Sequence, residues 1–252
     1  MKKVVILNKK EGETPLEALE FFRKKHKEYK NISMTYAGRL DPMASGVLII
    51  LAGEETKKKE KYLALEKEYE FEVLFGVATD TYDILGKIVF TRSHLAVIKN
   101  QKELTQEIKK NLKHFIGKFK QTYPIYSSKT VQGKPLFVYA RAGEEVKIPN
   151  REVLVKTLKF MKIKQITKKN LLKQIEKRIV KVKGDFRQAE ILNIWREKLS
   201  ESMQDKFFLV SFKIKCSSGT YVRGIANSLG EKLDTGALAY FIKRTKVGKY
   251  VL

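Results

Sequence analysis

The run VLIILA, residues 47–52, is an unbroken stretch of aliphatic residues enclosed by Gly46 and Gly53. A membrane-crossing helix needs roughly 20 apolar residues, so a run this short reads as a strand that must be packed as core. The chain has 252 residues, 43% of them hydrophobic, enough to bury a sizeable interior around that strand. Further strand signals are VVIL at residues 4–7, the stretches 153–160 and 207–214, and the segment 69–77. In that segment Tyr69, Phe71, Val73 and Phe75 alternate on one face, as in a half-buried strand. Helical stripes lie between these segments. Thr14 is placed to cap a helix with Pro15 in its first turn and Leu16, Leu19 and Phe22 on one side. Leu104, Ile108, Leu112, Phe115 and Ile116 form a second stripe ending near Gly117, and Leu171, Leu172, Ile175 and Ile179 a third. Asp83 and Gly86 suit a turn between strands, and neither an internal repeat nor an interdomain linker is visible. The expectation is one α+β domain, residues 1–252, with a sheet core and flanking helices.

Charge narrows the function. The 52 Lys and Arg exceed the 28 Asp and Glu, leaving +24, which calls for a polyanionic partner, most commonly nucleic acid. The competing account is a lysine-rich proteome whose surfaces are merely solvated. Two segments stand out by their residue pattern. Residues 121–149 interleave Tyr123, Tyr126, Phe137 and Tyr139 with Lys129, Lys134 and Arg141 among several Pro and Gly, which suits either a long surface loop or a thumb-like segment gripping RNA. Residues 165–205 form a lysine-rich insertion. Cys216 is the one cysteine, and His26, His94 and His114 are scattered, so neither a disulfide framework nor zinc-ligand spacing can be assembled and no metal is expected. The start MKKVVILNKKEGE lacks the apolar region and cleavage site of a signal peptide, so the expected location is cytoplasmic, without membrane association.

An Asp-Pro pair such as Asp41-Pro42 ordinarily marks a turn. Here it lies between Gly38 and Gly46 directly before the core run, which holds the carboxylate on a loop anchored to rigid structure, as catalysis requires. The stretch AGRLDPMASGVLIILAGEETK resembles the motif of TruB-type pseudouridine synthases, G-x-L-D-P-x-A-x-G-x-L followed by G-E-x-T-K. KEYEF, TDTYDILGKI, YSSKTVQGKPLFVYARAGEEV and SSGTYVRGIA follow in the family's order, so the resemblance covers nearly the whole chain outside 165–205. It implies the pseudouridine synthase fold, a mixed and mostly antiparallel sheet flanked by helices. It also implies a cofactor-free monomer acting on a uridine in the T-arm loop of tRNA, the one conventionally numbered 55. The PUA domain that many relatives carry at the C-terminus is expected to be missing.

By the same resemblance Asp41 attacks or otherwise activates the uridine, Tyr69 stacks on the flipped base, and Arg223 pairs with Asp41. Tyr36, Lys57, Tyr221 and Ile242 line or support the pocket. The chemistry fits these residue types: a carboxylate can attack ribose C1′ or base C6, or assist a glycal route, and all three stay open. A loop uridine is cheaper to extract from its stack than a duplex one. Three positions depart from the family pattern. Tyr36 stands where a histidine is usual, Arg39 where a small residue is usual, and Lys9, Lys10, Glu11 and Gly12 replace K-P-x-G, losing the proline that stiffens the turn. Two other readings remain: a noncatalytic RNA-binding protein or tRNA-folding chaperone, which has no need of Asp41, Tyr69 and Arg223 together, and a related synthase acting on ribosomal RNA.

Overall fold

The computed structural model describes residues 2–90 and 101–252, so His94 lies outside the described residues. In chain order β1 (Val4–Lys9) is followed by α1 (Pro15–Lys25), β2 (Met34–Ala37), β3 (Ala44–Ala52), α2 (Lys59–Leu63), β4 (Lys67–Phe75) and a small hairpin of β5 (Ala78–Thr79) and β6 (Ile88–Phe90). Next come α3 (Gln101–Leu112), β7 (Gly117–Thr122), a second small hairpin of β8 (Thr130–Val131) and β9 (Lys134–Pro135), and α4 (Leu136–Ala142). The chain closes with β10 (Asn150–Thr167), α5 (Lys168–Ile179), α6 (Gln188–Glu201), β11 (Lys206–Cys216), α7 (Val222–Lys232), β12 (Ala237–Val247) and β13 (Tyr250–Val251).

Nine strands form one sheet in the order β1–β3–β12–β4–β11–β10–β7, with β2 also on β3 and β13 on β12. All its pairings are antiparallel except β12 on β3, where Ile242 lies opposite Ala44 and Arg244 opposite Gly46. This parallel contact sets a late strand against the residues that follow Asp41. It depends on Gly46, whose φ is +106° and where an added Cβ would lie 2.1 Å from the Arg244 carbonyl oxygen.

β3 is buried on both faces, as its unbroken apolar run requires: Val47, Ile49 and Leu51 pack on one side, Leu48 and Ile50 against α1 on the other. The alternation in β4 is also realised. Phe71, Val73 and Phe75, with Tyr69 beside them, pack beneath α3 and α7. The strand is half-buried only in its first part, because Leu74 joins Leu209, Leu238 and Tyr240 beneath α5 and α6 on the opposite face. Nearer its start that face carries Glu68, Glu70 and Glu72, paired with lysines from β10, β11 and β12.

Thr14 caps α1 in a reciprocal box: its hydroxyl accepts from the Glu17 amide at 3.2 Å, and the Glu17 carboxylate accepts from the Thr14 amide at 2.7 Å. Leu19 is buried, but Leu16, expected on the same stripe, is 56% exposed and Ala18 takes its place in the core. Ile116 likewise leaves its stripe, since α3 ends at Leu112 and the chain turns outward into β7. The segment 121–149 is more ordered than an irregular loop. Gln132 and Gly133, both at positive φ, close the β8–β9 hairpin, and α4 is anchored by buried Leu136 and Tyr139. Tyr139 is therefore a packing residue, with its hydroxyl donating to the Val131 carbonyl, and offers no stacking face to RNA. The 165–205 segment is a helical hairpin, α5 and α6, entered from the last residues of β10. No helix among the described residues is long and apolar enough to cross a membrane.

Candidate active site

The loop joining β2 to β3 carries Asp41, and two buried cations hold its backbone from either side. Arg244, 1% exposed, donates from Nε to the Val47 carbonyl at 2.8 Å and from Nη2 and Nη1 to those of Gly38 and Arg39 at 3.1 and 3.4 Å. Lys9 donates from Nζ to Ala44 at 2.6 Å, Lys10 at 3.0 Å and Pro42 at 3.3 Å. Burial lowers the Lys9 pKa to about 8, against the pull of the Glu13 and Asp41 carboxylates. Sequence reading places Lys9 only in the N-terminal block and gives Arg244 no role, because in a chain with 52 Lys and Arg nothing marks which are buried.

A third cation engages the carboxylate itself. Arg223, in the first turn of α7, donates from Nε to Asp41 Oδ2 at 2.9 Å, from Nη1 to the Thr81 carbonyl at 2.6 Å and from Nη2 to the Tyr126 carbonyl at 2.8 Å. The guanidinium is fixed on three sides with its side chain 3% exposed, while the Asp41 side chain is 37% exposed. Burial pulls the Arg223 pKa down, but Asp41 and Asp83 raise it by more. Asp83, read from sequence as a turn residue, is itself buried. Its Oδ1 accepts from the Thr81 hydroxyl at 2.8 Å and the Leu85 amide at 2.9 Å. Desolvation pushes the Asp83 carboxyl up to about 6; Arg223 acts against that rise and Asp41 adds to it.

Tyr69 lies on β4 between Ile214 of β11 and Arg244 of β12. Burial raises its hydroxyl to about 12, with Arg244 pulling it down and Asp41 pushing it up, so at neutral pH it is a protonated phenol. Tyr221 stands at the N-cap position of α7; the Gln121 side chain accepts from its amide and donates to its carbonyl, both at 2.9 Å. Its ring is 5.6 Å from the Arg223 guanidinium and meets Tyr123 edge-on. Ile242 is a core residue beside Phe71 and Ala44, beneath the Asp41 loop.

Of the sequence-derived candidates, Asp41, Tyr69, Tyr221, Arg223 and Ile242 are brought to one end of the sheet, and Lys57 is not among them. It lies just past the opposite end of β3, a nine-residue strand spanning roughly 30 Å, where its ammonium bonds Glu54 at 2.6 Å and is 74% exposed. Of the two readings open for Lys57, a residue lining or supporting the pocket or the first member of the solvated run KKK, this placement fits the second, with the G-E-x-T-K block making a helical turn that bonds within itself. The Tyr36 ring packs on the α1 side of β2, bracketed by the Arg39 guanidinium at 6.0 Å and the Lys59 ammonium at 5.8 Å. Among the described residues no group of three or more His, Cys, Asp or Glu is placed to hold a metal ion.

The sheet, with helices on both faces and this site at one end, is the fold of a pseudouridine synthase. Over 98% of the chain it superposes on a chain of a Cbf5–Nop10–Gar1 complex (TM-score 0.56, 18% identity) and on one of an H/ACA ribonucleoprotein bound to a substrate RNA containing 2′-deoxyuridine (TM-score 0.53, 16% identity); it spans about half of each, 49% and 48%. The chain belongs to the TruB family of pseudouridylate synthases, whose N-terminal-domain model matches residues 23–184. Tyr36, Asp41 and Tyr69 fall inside that match. Tyr221, Arg223 and Ile242 fall beyond it, where whole-length relatives continue the likeness. The tRNA pseudouridine synthase B of Carboxydothermus hydrogenoformans is 33% identical over 249 residues, 98% of this chain and 69% of that protein. That of Lactobacillus acidophilus is 33% identical over 244 residues, 96% of this chain and 67% of that protein.

Proposed function

We propose that the chain isomerises a uridine in the T-arm loop of tRNA to pseudouridine, with Asp41 as the acting carboxylate. The observation that carries this reading is the 2.9 Å contact between buried Arg223 and half-exposed Asp41. It aims one carboxylate toward solvent from a backbone clamped by Lys9 and Arg244. In the reaction the bond from ribose C1′ to base N1 breaks and a bond from C1′ to C5 forms. The C5 proton leaves and N1 gains one, so substrate and product have the same atoms and oxidation state. Asp41 acts at C1′ or C6, or assists proton loss from the ribose. Arg223 keeps the carboxylate oriented toward the reacting sugar and base. Tyr69, a protonated phenol, supplies a ring face and a donor to hold the free uracil while it turns.

The domain organisation follows the same reading: residues 1–252 form a single catalytic domain, working as a monomer in the cytoplasm. The 121–149 segment grips the T-arm with half-exposed Tyr123 and Phe137 and with Lys129, Lys134 and Arg141. Helix α5 adds Lys169, Lys173 and Lys177, exposed on one face at four-residue spacing, and none has an ion-pair partner among the described residues. Like charges so spaced oppose helix formation, so an outside polyanion is the natural complement.

The test supplies the purified chain with an unmodified tRNA transcript and, separately, a ribosomal RNA fragment, and maps pseudouridine at nucleotide resolution. The expected product lies in the T-arm loop. Binding without product in either RNA overturns the enzymatic reading in favour of a chaperone, and product only in the ribosomal fragment moves the substrate.

A further inference from the structure

The α5–α6 hairpin is not an appendage to the site. The turn joining its helices places Arg187 against two segments at once: Nη1 donates to Asp80 Oδ2 at 2.8 Å and to the Tyr126 hydroxyl at 2.6 Å, with the guanidinium 4.3 Å from the Tyr126 ring centre. The ion pair is largely buried, at 17% and 18% exposure. Arg187 itself sits at φ +62°, a left-handed conformation costly for a side-chain-bearing residue and maintained where surrounding contacts enforce it. Those contacts are present. The Asp185 carboxylate accepts from the Arg187 amide, Arg141 of α4 donates to the Asp185 carbonyl, and the fully buried Trp195 of α6 donates from Nε1 to Gly86 in the loop that carries Asp80.

The two segments Arg187 ties together are the ones that supply the backbone acceptors of Arg223. Asp80 immediately precedes Thr81, whose carbonyl takes Nη1, and the Tyr126 carbonyl takes Nη2. We infer that Arg187 is a positioning residue for the Asp41–Arg223 pair: it fixes the spacing of the Thr81 and Tyr126 carbonyls, and through them the direction in which Arg223 presents Asp41. The path runs from Arg187 to Asp80 and Tyr126, then to Arg223, then to Asp41. A helical hairpin that the active-site motifs do not include thereby completes the site's support.

The inference rests on the proposed isomerisation for its kinetic readout only; a second readout stands apart from activity. In Arg187→Met the single-turnover rate of pseudouridine formation is expected to fall by about 10- to 100-fold, as small misplacements of reacting groups do. The Kd for tRNA and its salt dependence should stay within about twofold, because Arg187 acts on protein groups and not on phosphate. Arg187→Lys should recover part of the rate by restoring the bond to Asp80. The Nε–H resonance of Arg223, assigned by its loss in Arg223→Lys, should be slow to exchange with solvent in the parent chain and fast in Arg187→Met. A full rate together with an unchanged Arg223 resonance overturns the inference, as does a weaker Kd with a flatter salt dependence at unchanged rate. Should the parent chain make no pseudouridine, the proposed reaction fails, and the Arg223 resonance alone still decides the role of Arg187.

Discussion

At the scale of single residues the site is a carboxylate among fixed charges. Asp41 and Arg223 were within reach of sequence reading because each sits in a short block with its own spacing. Lys9, Arg244, Asp83 and Arg187 were not, because their roles come from burial, and a lysine bound to three carbonyls looks in sequence like a solvated one. Asp83 carries a pH signature. Its carboxyl titrates at about 6 in the folded chain against an ordinary 3.8, so between those values the folded state holds more of its proton than the unfolded state. Stability from this group is therefore present below pH 4 and is lost as pH rises toward 6. Asp83→Asn removes that loss: relative to the parent, the variant should gain about 2–3 kcal/mol between pH 4 and pH 7 in urea unfolding. A parent-to-variant difference that does not change with pH would contradict the burial account. Lys9→Met leaves three carbonyls without their shared donor and loosens the loop on the C-terminal side of Asp41. Its expected effect is a loss of about 1–3 kcal/mol in unfolding free energy, accompanied by a slower isomerisation.

At the scale of elements the sequence was most legible where one period ran long enough to count. The runs 47–52 and 69–75 became strands, and the stripe of Leu171, Ile175 and Ile179 became the buried side of α5. Periods failed where elements are short: β8 and β9 have two residues each and α4 has seven, so their segment reads as loop. They failed too where a stripe extends past its helix, as at Ile116. The parallel meeting of β3 and β12 joins residues 198 positions apart, as Ile242 and Ala44 are, and has no local sequence signal beyond Gly46. Gly46→Ala should accordingly be severe, since the added methyl meets backbone and not a movable side chain. Expected is a loss of about 2–4 kcal/mol with a matching fall in Tm, together with weaker activity as β12 draws away from the Asp41 loop. A stable, fully active alanine variant would mean that the two strands tolerate wider spacing.

At the scale of the molecule the basic residues behind the surplus of +24 differ in how they are paired. The second face of the sheet neutralises its glutamates strand by strand with lysines, so charge there is internal bookkeeping. The face of α5 is different, because its one acid, Glu176, is taken by Arg196 and the three lysines are left to solvent. Replacing Lys169, Lys173 and Lys177 by glutamine should weaken tRNA binding and reduce the slope of log affinity against log salt by up to about 3, while the single-turnover rate at saturating tRNA is unchanged. An unaltered slope would show that α5 faces away from the RNA.

On the proposed function Asp41 performs the chemistry. Asp41→Asn keeps the size of the side chain and an oxygen for Arg223 to bond, and removes the carboxylate. Measured under single turnover with tRNA in the same buffer in which Kd is determined, the variant should bind within about threefold of the parent and form pseudouridine at least about a thousandfold more slowly; product at the parent's rate would contradict the account.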